Sequence, residues 1–518
     1  MQSRNIERAT TGTASIGGLG ELIGVIERSI NEGNKLILTV SSKLGYNDLI
    51  NKLIIGYYVL IIDPANRGEV MIRINGVEAL PNPPPSIGGL ESTYVKVIGE
   101  VVITRFKDND TYRYSSHPII PINGSLLIYP NSEVIRDFLG IRGDVVIGKA
   151  LINGFEIPVA INNKALEGNM LIIGQPGSGK SLLIKRIVKG LYLSDYGNVI
   201  IIDRTGEYVK YLVENGVSIS LVLPIDLMRL GRPIDVDELR KYVIDKLRVL
   251  GFRSRVKVRM SISRNGGVEF TIDFIRRRFG KLRVYPLSIK FRWFIERAVN
   301  FFDPEIKYVV TKLIVDNEKA VSTAQSFIEI LRKPELVDLF GKPPINKAID
   351  LAYTLMRSGY FDAVINIGGE NIDISIYSPM RALRNKIIVF DIHEMPEHLL
   401  NIYETILIED VIKWFMGSPG NKAVMIIDNA EGLIDNKNLL NALVNSVRVG
   451  KLYGVFFIIA TRVFSRKLYR EFSNVVFMRM SNSSMVGLKC YDPANLLNNE
   501  FIVISPWFNI NCIKGSVA

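Results

Sequence analysis

Cysteine and histidine are scarce in this sequence of 518 residues, which has two cysteines and three histidines. Cys490 and Cys512 are too few for a disulfide framework or for a metal site made of thiolates. The three histidines argue against a zinc enzyme and against an enzyme that uses a histidine base. We therefore expect a reduced interior and a cytoplasmic protein.

Long apolar segments are also lacking, although 47% of the residues are hydrophobic. The opening MQSRNIERATTGTASIGG has no apolar stretch of the kind that a secretory signal needs. The longest uninterrupted apolar run, LIIGYYVLII at 53–62, is too short to cross a bilayer as a helix. The composition predicts a folded protein of two to four domains with no transmembrane segment of its own.

The net charge of +12 is concentrated in one window. Between Lys241 and Arg297 there are 16 Lys and Arg residues against 4 Asp and Glu residues. The difference of 12 positive charges equals the net charge of the whole chain. Such a cluster favours an anionic partner, with nucleic acid before anionic lipid, and a solvated surface face is the alternative. Within the window, GFRSRVKVRMSISRNGG at 251–267 is typical of a basic hairpin. Its candidate DNA contacts are Arg253, Arg255, Lys257 and Arg259.

The pattern of strands and helices changes along the chain. Residues 1–115 contain five short strands separated by turns, which predict a small β-barrel: ELIGVIERS, KLILTVSS, YYVLIID, EVMIRING and TYVKVIGEVVITRF. A connector is predicted over 116–150. Apolar strands that alternate with helices in 151–209 and 381–518 predict an α/β core with a mostly parallel sheet. An α-rich, basic insertion is predicted over 210–380.

The stretch GQPGSGKS at 174–181 fits the phosphate-loop pattern G-x-x-x-x-G-K-[ST] between a buried strand and a helix. Its glycines let successive backbone N–H groups point into one concavity, and the helix adds its positive N-terminal end. Lys180 can reach the β- and γ-phosphates, and the Ser181 hydroxyl can ligate Mg²⁺. ATP and Mg²⁺ are therefore the expected cofactors of a RecA-like P-loop NTPase core. The loop residues are Gly174, Gln175, Pro176, Gly177, Ser178, Gly179, Lys180 and Ser181.

A second acidic position follows the strand in AVMIIDNAEGLI at 423–434. Asp428 can hold the magnesium ion through water. Many ATP-driven machines place a second carboxylate directly after this acid to activate the attacking water, but here the next residue is Asn429. The sequence leaves open a motor whose base lies elsewhere and a binding domain with weak or no hydrolysis.

These motifs resemble the HerA family of the HerA–FtsK group of hexameric DNA-translocating ATPases. VIIIDRTGEY at 199–208 is similar to the family's strand and Asp-x-x-Gly-Glu-Tyr motif, and AVMIIDNAEGL is similar to its second acidic motif. NSVRVGKLYGVFFIIATRVFS at 445–465 resembles the helix with the arginine finger and the following sensor strand. The resemblance implies a six-membered ring that takes duplex DNA through its channel and works with a nuclease in end processing.

The resemblance implies functional roles for particular residues of this chain. Besides the phosphate loop, the matching positions are Asp203, Gly206, Glu207, Asp428 and Arg448. Three positions depart from the family's pattern. Asn429 replaces the catalytic carboxylate, Lys451 replaces an arginine beside the finger, and Arg462 replaces the sensor glutamine after Thr461.

Two carboxylates are candidates for the catalytic base. Glu207 follows Asp203 at the sheet edge where the nucleotide crevice is expected, and it is the preferred candidate, with a structural role near Arg204 as the alternative. Glu431 would reach the site if NAEG turns back, or it could be a solvated turn acid. Asn429 could orient the attacking water but could not accept its proton.

Two cations remain ambiguous at this stage. Arg448 lies in the last turns of a predicted helix, where a cation suits the helix dipole whether or not it reaches the ATP of a neighbouring subunit. An arginine finger would require a ring or another head-to-tail oligomer. Arg462 could donate to a γ-phosphate, or it could face the channel and touch DNA.

Three functions are compatible with these residues. The favoured one is an ATP-dependent DNA translocase or helicase that acts as a ring on duplex DNA, with a nuclease as possible partner. A DNA-transport ATPase of the conjugation or import type, docked on a membrane channel, shares the same core. The third is an ATP-binding assembly subunit that barely hydrolyses its nucleotide, which Asn429 supports best.

Overall fold

The computed structural model describes most of the chain. Contacts between its residues form two compact units. The first unit contains Met1–Asn162, Leu488–Asp492 and Glu500–Ala518, and the second contains Asn163–Gly487 and Pro493–Asn499. The described residues are 18–65, 68–80, 92–108, 111–115, 119–228, 230, 233–252, 256–262, 268–274, 278–316, 322–373, 375–376, 386–418, 420–481 and 490–517.

The elements of the described residues are as follows in chain order. The strands are β1 (Gly20–Glu32), β2 (Lys35–Ser42), β3 (Tyr58–Ile62), β4 (Glu69–Ala79), β5 (Thr93–Asp108), β6 (Thr111–Ser115), β7 (Leu126–Pro130), β8 (Val145–Ile152), β9 (Phe155–Ile161), β10 (Met170–Ile173), β11 (Asn198–Asp203), β12 (Ile219–Pro224), β13 (Ile234–Asp235), β14 (Val256–Ile262), β15 (Val268–Phe274), β16 (Leu282–Ile289), β17 (Val364–Ile367), β18 (Glu370–Asp373), β19 (Ser375–Ile376), β20 (Ile387–Asp391), β21 (Ala423–Ile427), β22 (Val455–Thr461), β23 (Asn474–Met478), β24 (Glu500–Ile504) and β25 (Ile513–Ser516). The helices are α1 (Tyr46–Lys52), α2 (Ser132–Phe138), α3 (Asn163–Leu166), α4 (Lys180–Leu193), α5 (Tyr208–Glu214), α6 (Val236–Val249), α7 (Phe291–Ala298), α8 (Pro304–Asp316), α9 (Ala324–Leu331), α10 (Pro334–Phe340), α11 (Lys342–Arg357), α12 (Glu397–Met416), α13 (Glu431–Ile434), α14 (Lys437–Leu452) and α15 (Arg466–Tyr469).

The first unit contains a closed antiparallel barrel. Its strands follow the order β2-β1-β7-β3-β4-β5, and β5 pairs again with β2, which closes the sheet. Burial alternates along β2, where Leu36, Leu38 and Val40 face the core, as expected for a sheet with one buried face. The predicted barrel is present, but its closure needs a sixth strand, β7, which lies in the segment predicted as a connector.

A second antiparallel group in the first unit has the order β24-β25-β8-β9. Cys490 and Cys512, near β25, form a disulfide with an Sγ–Sγ distance of 2.06 Å. The expectation of reduced cysteines is therefore wrong, because the fold brings the two Cα atoms, 22 positions apart in sequence, to 6.6 Å. The cytoplasmic location stays a prediction.

The second unit is built on a parallel sheet with the order β16-β12-β20-β11-β21-β22-β10-β23. Strands β10, β12, β20, β21 and β22 are buried at every position, which explains why their sequences are mostly apolar. Because all eight strands are parallel, their carboxyl ends lie at one edge of the sheet. This edge places the phosphate loop, Asp203 and Asp428 in one region.

The segment predicted as an insertion, 210–380, contributes to this sheet as well as holding helices. Strands β12 and β16 belong to the parallel sheet, and the hairpin β14–β15 continues it antiparallel from β16. Helices α6 to α11 and a small sheet, β13-β17-β18, occupy the rest of the described segment. The predicted domain limits stay a prediction. None of the described helices has both the length and the apolar character that membrane crossing requires.

Candidate nucleotide-binding site

The phosphate loop connects β10 to α4 and is anchored to neighbouring strands. The Gly174 N–H donates to the Thr461 carbonyl at the end of β22 (3.1 Å), and the Gln175 N–H donates to the Arg479 carbonyl (2.9 Å). Gly177 and Gly179 have φ angles of 74° and 104°, a region that glycine adopts without steric cost. The loop therefore has the backbone conformation that the motif predicted.

Lys180 is the first residue of α4 and is only 7% exposed. Its Nζ donates to the carbonyl oxygens of Gly174 (2.8 Å) and Gln175 (3.1 Å). Burial lowers the pKa of Lys180, while the negative charges of Asp428 and Glu431 raise it. The ammonium group is thus held against the loop, where a phosphate would accept its hydrogen bonds instead.

Ser181 and Asp428 meet although 247 positions separate them in sequence. The Ser181 hydroxyl donates to Asp428 Oδ2 at 2.8 Å, and the Asp428 side chain is fully buried. Two further donors hold this carboxylate: the Tyr208 hydroxyl on Oδ2 (2.7 Å) and the Asn429 N–H on Oδ1 (3.0 Å). Burial, reinforced by the charge of Asp428, raises the pKa of Tyr208 well above its ordinary value, so the phenol is a donor at neutral pH.

This arrangement fits a nucleotide with Mg²⁺. The cation prefers oxygen ligands and is usually held by one or two protein groups together with phosphates and water, and Ser181 and Asp428 present such oxygens side by side. Within the described ranges no three His, Cys, Asp or Glu side chains could hold a metal by themselves. The Ser178 hydroxyl is buried in the loop without a hydrogen-bond partner among the described residues, as expected where a ligand completes the site.

Asp203 organises the loop that follows β11. Its Oδ1 accepts the N–H groups of Thr205 (2.9 Å) and Gly206 (2.8 Å), and its Oδ2 accepts the N–H of Tyr208 (3.1 Å). Gly206 has a φ of 73°, and a Cβ there would lie 3.3 Å from a ring nitrogen of His393. The Asp-x-x-Gly-Glu-Tyr motif is therefore a tight turn that fixes the position of Tyr208.

The two candidate bases have different environments. Glu207 Oε2 pairs with the ammonium group of Lys185 at 3.0 Å, and the Glu207 side chain is 53% exposed. Glu431 begins α13, and its Oε1 accepts the N–H of Arg462 at 2.8 Å. The charge of Glu431 also raises the pKa of Lys180. Its hydrogen-bond partner Arg462 follows β22, the strand beside β10.

Asn429 and Arg462, two of the three residues that depart from the family's pattern, follow β21 and β22 at the carboxyl edge of the sheet. Asn429 has a φ of 61°, a left-handed conformation that asparagine tolerates better than most residues. Thr461 is buried at the end of β22, and its hydroxyl accepts the Val463 N–H at 2.9 Å. Arg462 is exposed. It follows Thr461, whose carbonyl accepts the N–H of Gly174 in the phosphate loop.

Arg448 lies on the surface of α14. Its Nη2 pairs with Glu471 Oε1 at 2.5 Å, and its side chain is 61% exposed. Lys451 lies one turn further along the same helix and is exposed. The sequence analysis had not predicted the ion pair of Arg448 with Glu471. An exposed arginine of this kind is accessible to a neighbouring subunit.

Of the basic segment 251–267, which was predicted as a hairpin, the structure describes 251–252 and the strand β14. This strand pairs antiparallel with β15, which begins after the predicted segment. Lys257 and Arg259 alternate with less exposed residues and share one exposed side of β14. The Arg259 Nε pairs with Asp273 Oδ2 on β15 at 2.8 Å. The other two candidate contacts, Arg253 and Arg255, lie outside the described residues.

A family model described as the central domain of the helicase HerA matches residues 145–411. The chain belongs to the HerA family. This membership confirms the resemblance and places the chain among the P-loop ATPases. No curated protein matches the sequence significantly.

Several solved structures are similar to the chain at a low level. The bacterial conjugative coupling protein TrwB matches with 13% identity and a TM-score of 0.44, over 73% of this chain and 90% of that one. VirB4 of Thermoanaerobacter pseudethanolicus matches with 13% identity and a TM-score of 0.45, over 73% of this chain and 96% of that one. A TrwB structure in complex with ADP and Mg²⁺ matches with 14% identity and a TM-score of 0.42, over 73% and 91%. No role is transferred from them.

Replacing Lys180 should remove most of the nucleotide affinity of this HerA-family chain. We expect Lys180→Ala to raise the Kd for MgATP by about 10- to 100-fold, because charge-assisted hydrogen bonds to phosphate can no longer form. Isothermal titration calorimetry on the full chain measures this. Lys189→Ala, two turns further along α4, is the matched control and should bind like the natural protein. Equal affinities of the two variants would contradict the site.

Proposed function

We propose that this HerA-family chain is an ATP-hydrolysing DNA translocase or helicase that acts as a ring on duplex DNA, together with a nuclease in end processing. One observation carries the proposal: the Ser181 hydroxyl and the Asp428 carboxylate meet at 2.8 Å beside Lys180, at the carboxyl edge of the parallel sheet. Family membership and the exposed basic hairpin support the DNA part. The DNA-transport hypothesis shares this site, and the match to the HerA model favours the translocase.

The residues of the site divide the work of hydrolysis. Lys180 would bind the β- and γ-phosphates, and Ser181 with Asp428 would hold Mg²⁺, whose charge would neutralise the phosphate oxygens. We assign the base to Glu431 rather than Glu207, because Glu431 accepts the N–H of Arg462 directly after β22, the strand beside β10, whereas Lys185 holds Glu207. The water oxygen bonds to the γ-phosphorus while the β–γ phosphoanhydride bond breaks, and ADP leaves with the bridging oxygen. The Glu431 carboxylate accepts the proton of that water. The Asn429 amide can orient that water through a hydrogen bond.

Steady-state ATPase assays with and without duplex DNA test this assignment. DNA should raise the turnover of the natural protein, and Lys180→Ala should abolish it. Glu431→Gln should lower kcat by about 10²- to 10⁴-fold and keep MgATP binding, because the amide cannot accept a proton. Glu207→Gln should keep most of the activity, because it removes an exposed ion pair of small energy.

Two results would overturn parts of this proposal. If Glu431→Gln keeps full ATPase activity and Glu207→Gln loses it, Glu207 is the catalytic base. If the natural protein does not hydrolyse ATP and Asn429→Glu does, the natural chain is an assembly subunit that binds ATP without cleaving it. The amide at the position of the family's catalytic carboxylate is the observation that favours this second candidate.

The ring part of the proposal depends on Arg448. In the single chain this guanidinium pairs with Glu471 on the surface rather than with the chain's own nucleotide site. Being mostly exposed on α14, it can leave Glu471 and reach a phosphate bound by an adjacent subunit. We therefore propose that Arg448 acts in trans and that the catalytic site is completed by the next subunit.

Mixing two inactive variants distinguishes a trans-acting arginine from one that acts within its own subunit. Lys180→Ala keeps the finger but lacks the phosphate lysine, and Arg448→Ala keeps the phosphate lysine but lacks the finger. In a 1:1 mixture, about a quarter of random interfaces combine an intact site with an intact finger. DNA-stimulated ATPase should recover accordingly, whereas no recovery after verified co-assembly would contradict the proposal. Arg466→Ala, on the exposed face of α15, serves as the charge-matched control for Arg448→Ala.

The DNA contact is proposed for the exposed side of the hairpin β14–β15. Lys257 and Arg259 lie on the same side of an outer strand of the described sheet, where a phosphate backbone could approach them. Contacts to phosphates carry no sequence information, so binding should be independent of sequence and sensitive to salt. Asp273 on β15 pairs with Arg259 and lies directly opposite Lys257 in the register, so a DNA phosphate competes with this acid for both cations.

Replacing Arg253, Arg255, Lys257 and Arg259 together by Gln should weaken duplex DNA binding and its salt dependence. The slope of log K against log salt should fall by about 0.9 for each DNA phosphate that the variant no longer neutralises. Fluorescence anisotropy across a salt series measures both quantities. The control replaces four exposed lysines of the helical segment, which changes the net charge equally: Lys307, Lys333, Lys342 and Lys347. An unchanged slope in the hairpin variant would reject the hairpin as the contact.

A further inference from the structure

Tyr208 contacts the proposed metal site from an element outside the phosphate loop. It begins α5 and is fully buried, and its hydroxyl donates to Asp428 Oδ2 at 2.7 Å across 220 positions of sequence. The same oxygen accepts the Ser181 hydroxyl at 2.8 Å. Asn429 N–H occupies the other oxygen, Oδ1. Among the described residues the Asp428 carboxylate thus has three donors, and one of them comes from α5.

The surroundings of Tyr208 hold its side chain in a defined position. Its backbone N–H donates to Asp203 Oδ2, the buried acid that also accepts the N–H groups of the turn before it. The Lys185 ammonium lies 5.6 Å from the centre of the Tyr208 ring, which suits a cation–π contact. Because its backbone, its ring and its hydroxyl are each engaged, the phenol can impose its own geometry on the carboxylate.

A metal site of this type needs the Asp428 carboxylate to be held in a fixed orientation. Ligating carboxylates depend on hydrogen bonds from surrounding groups, and loss of such a partner costs metal affinity. Ser181 belongs to the proposed metal site itself, so its hydroxyl cannot serve as an independent support for Asp428. Tyr208 is a side-chain donor to this carboxylate that is not a proposed ligand of the metal.

We propose that Tyr208 is a positioning residue of the magnesium site: its hydroxyl fixes the orientation of the Asp428 carboxylate and thereby sets the affinity of the nucleotide-bound site for Mg²⁺. The inference rests on the proposed function, because it assumes that Ser181 and Asp428 hold Mg²⁺ with a bound nucleotide. It adds a role for the last residue of the Asp-x-x-Gly-Glu-Tyr motif. The tight turn of that motif then couples β11 to the acid after β21.

Tyr208→Phe in the full chain tests the proposal, since it removes the hydroxyl and keeps the buried ring. Binding of a fluorescent ADP analogue is followed by anisotropy in EDTA and across a Mg²⁺ series. The Mg²⁺ concentration for half-maximal tightening should rise by about 10- to 100-fold. Affinity in EDTA should stay within about twofold, and kcat at saturating Mg²⁺ should change far less than the Mg²⁺ requirement. Tyr211→Phe, on the same helix, is the matched control and should leave all three quantities unchanged.

Three results would overturn the inference, and they are distinguishable. An unchanged Mg²⁺ requirement in Tyr208→Phe would show that the hydroxyl does not orient the metal acid. Equal weakening with and without Mg²⁺ would assign Tyr208 to folding of the turn and the loop. If the natural protein itself bound the analogue without Mg²⁺ dependence and no more tightly than Lys180→Ala, the proposed function would fail together with this inference.

Discussion

The hydrogen bond between Ser181 and Asp428 depends on the order of the parallel strands, and the candidate site depends on this contact. The phosphate loop follows β10 and Asp428 follows β21, with β22 between them in the sheet. Parallel strands bring their carboxyl ends to one edge, so residues 247 positions apart can share a hydrogen bond of 2.8 Å. A sheet with one of these strands reversed would carry the motif residues to opposite edges.

Several buried carboxylates lie at the same edge of the sheet. Each needs hydrogen-bond donors, because burying an unpaired charged group costs free energy. Asp203 is held by the N–H groups of its own turn, and Asp428 is held by Ser181, Tyr208 and the N–H of Asn429. Asp391, at the end of β20, pairs with His393 at 2.5 Å, which raises the pKa of that histidine. An acid at the end of a buried strand is therefore not diagnostic of a metal site, and its partners decide its role.

Much of the local structure could be predicted because it depends on residues close in sequence. Short strand patterns separated by turns predicted five barrel strands, and the pattern G-x-x-x-x-G-K-[ST] predicted the phosphate loop. The structure has these strands and gives Gly177 and Gly179 positive φ angles. The sixth barrel strand was missed, because β7 pairs with β1 and β3 far away in sequence. The Cys490–Cys512 bridge and the Arg448–Glu471 pair were missed for the same reason. Spacing alone also could not show that Lys185 holds Glu207 while Glu431 accepts the N–H of Arg462.

The sequence by itself determined that this chain carries a phosphate loop, an acid after a buried strand and a basic hairpin. Each of these features can be recognised from one continuous stretch of residues. Membership of the HerA family follows from the same kind of information. Only the tertiary structure decided which side chains meet at the sheet edge, including the Tyr208 hydroxyl on Asp428. The physical reason is that hydrogen bonds and ion pairs act over about 3 Å, whereas the partners at this site are separated by up to 247 positions of chain.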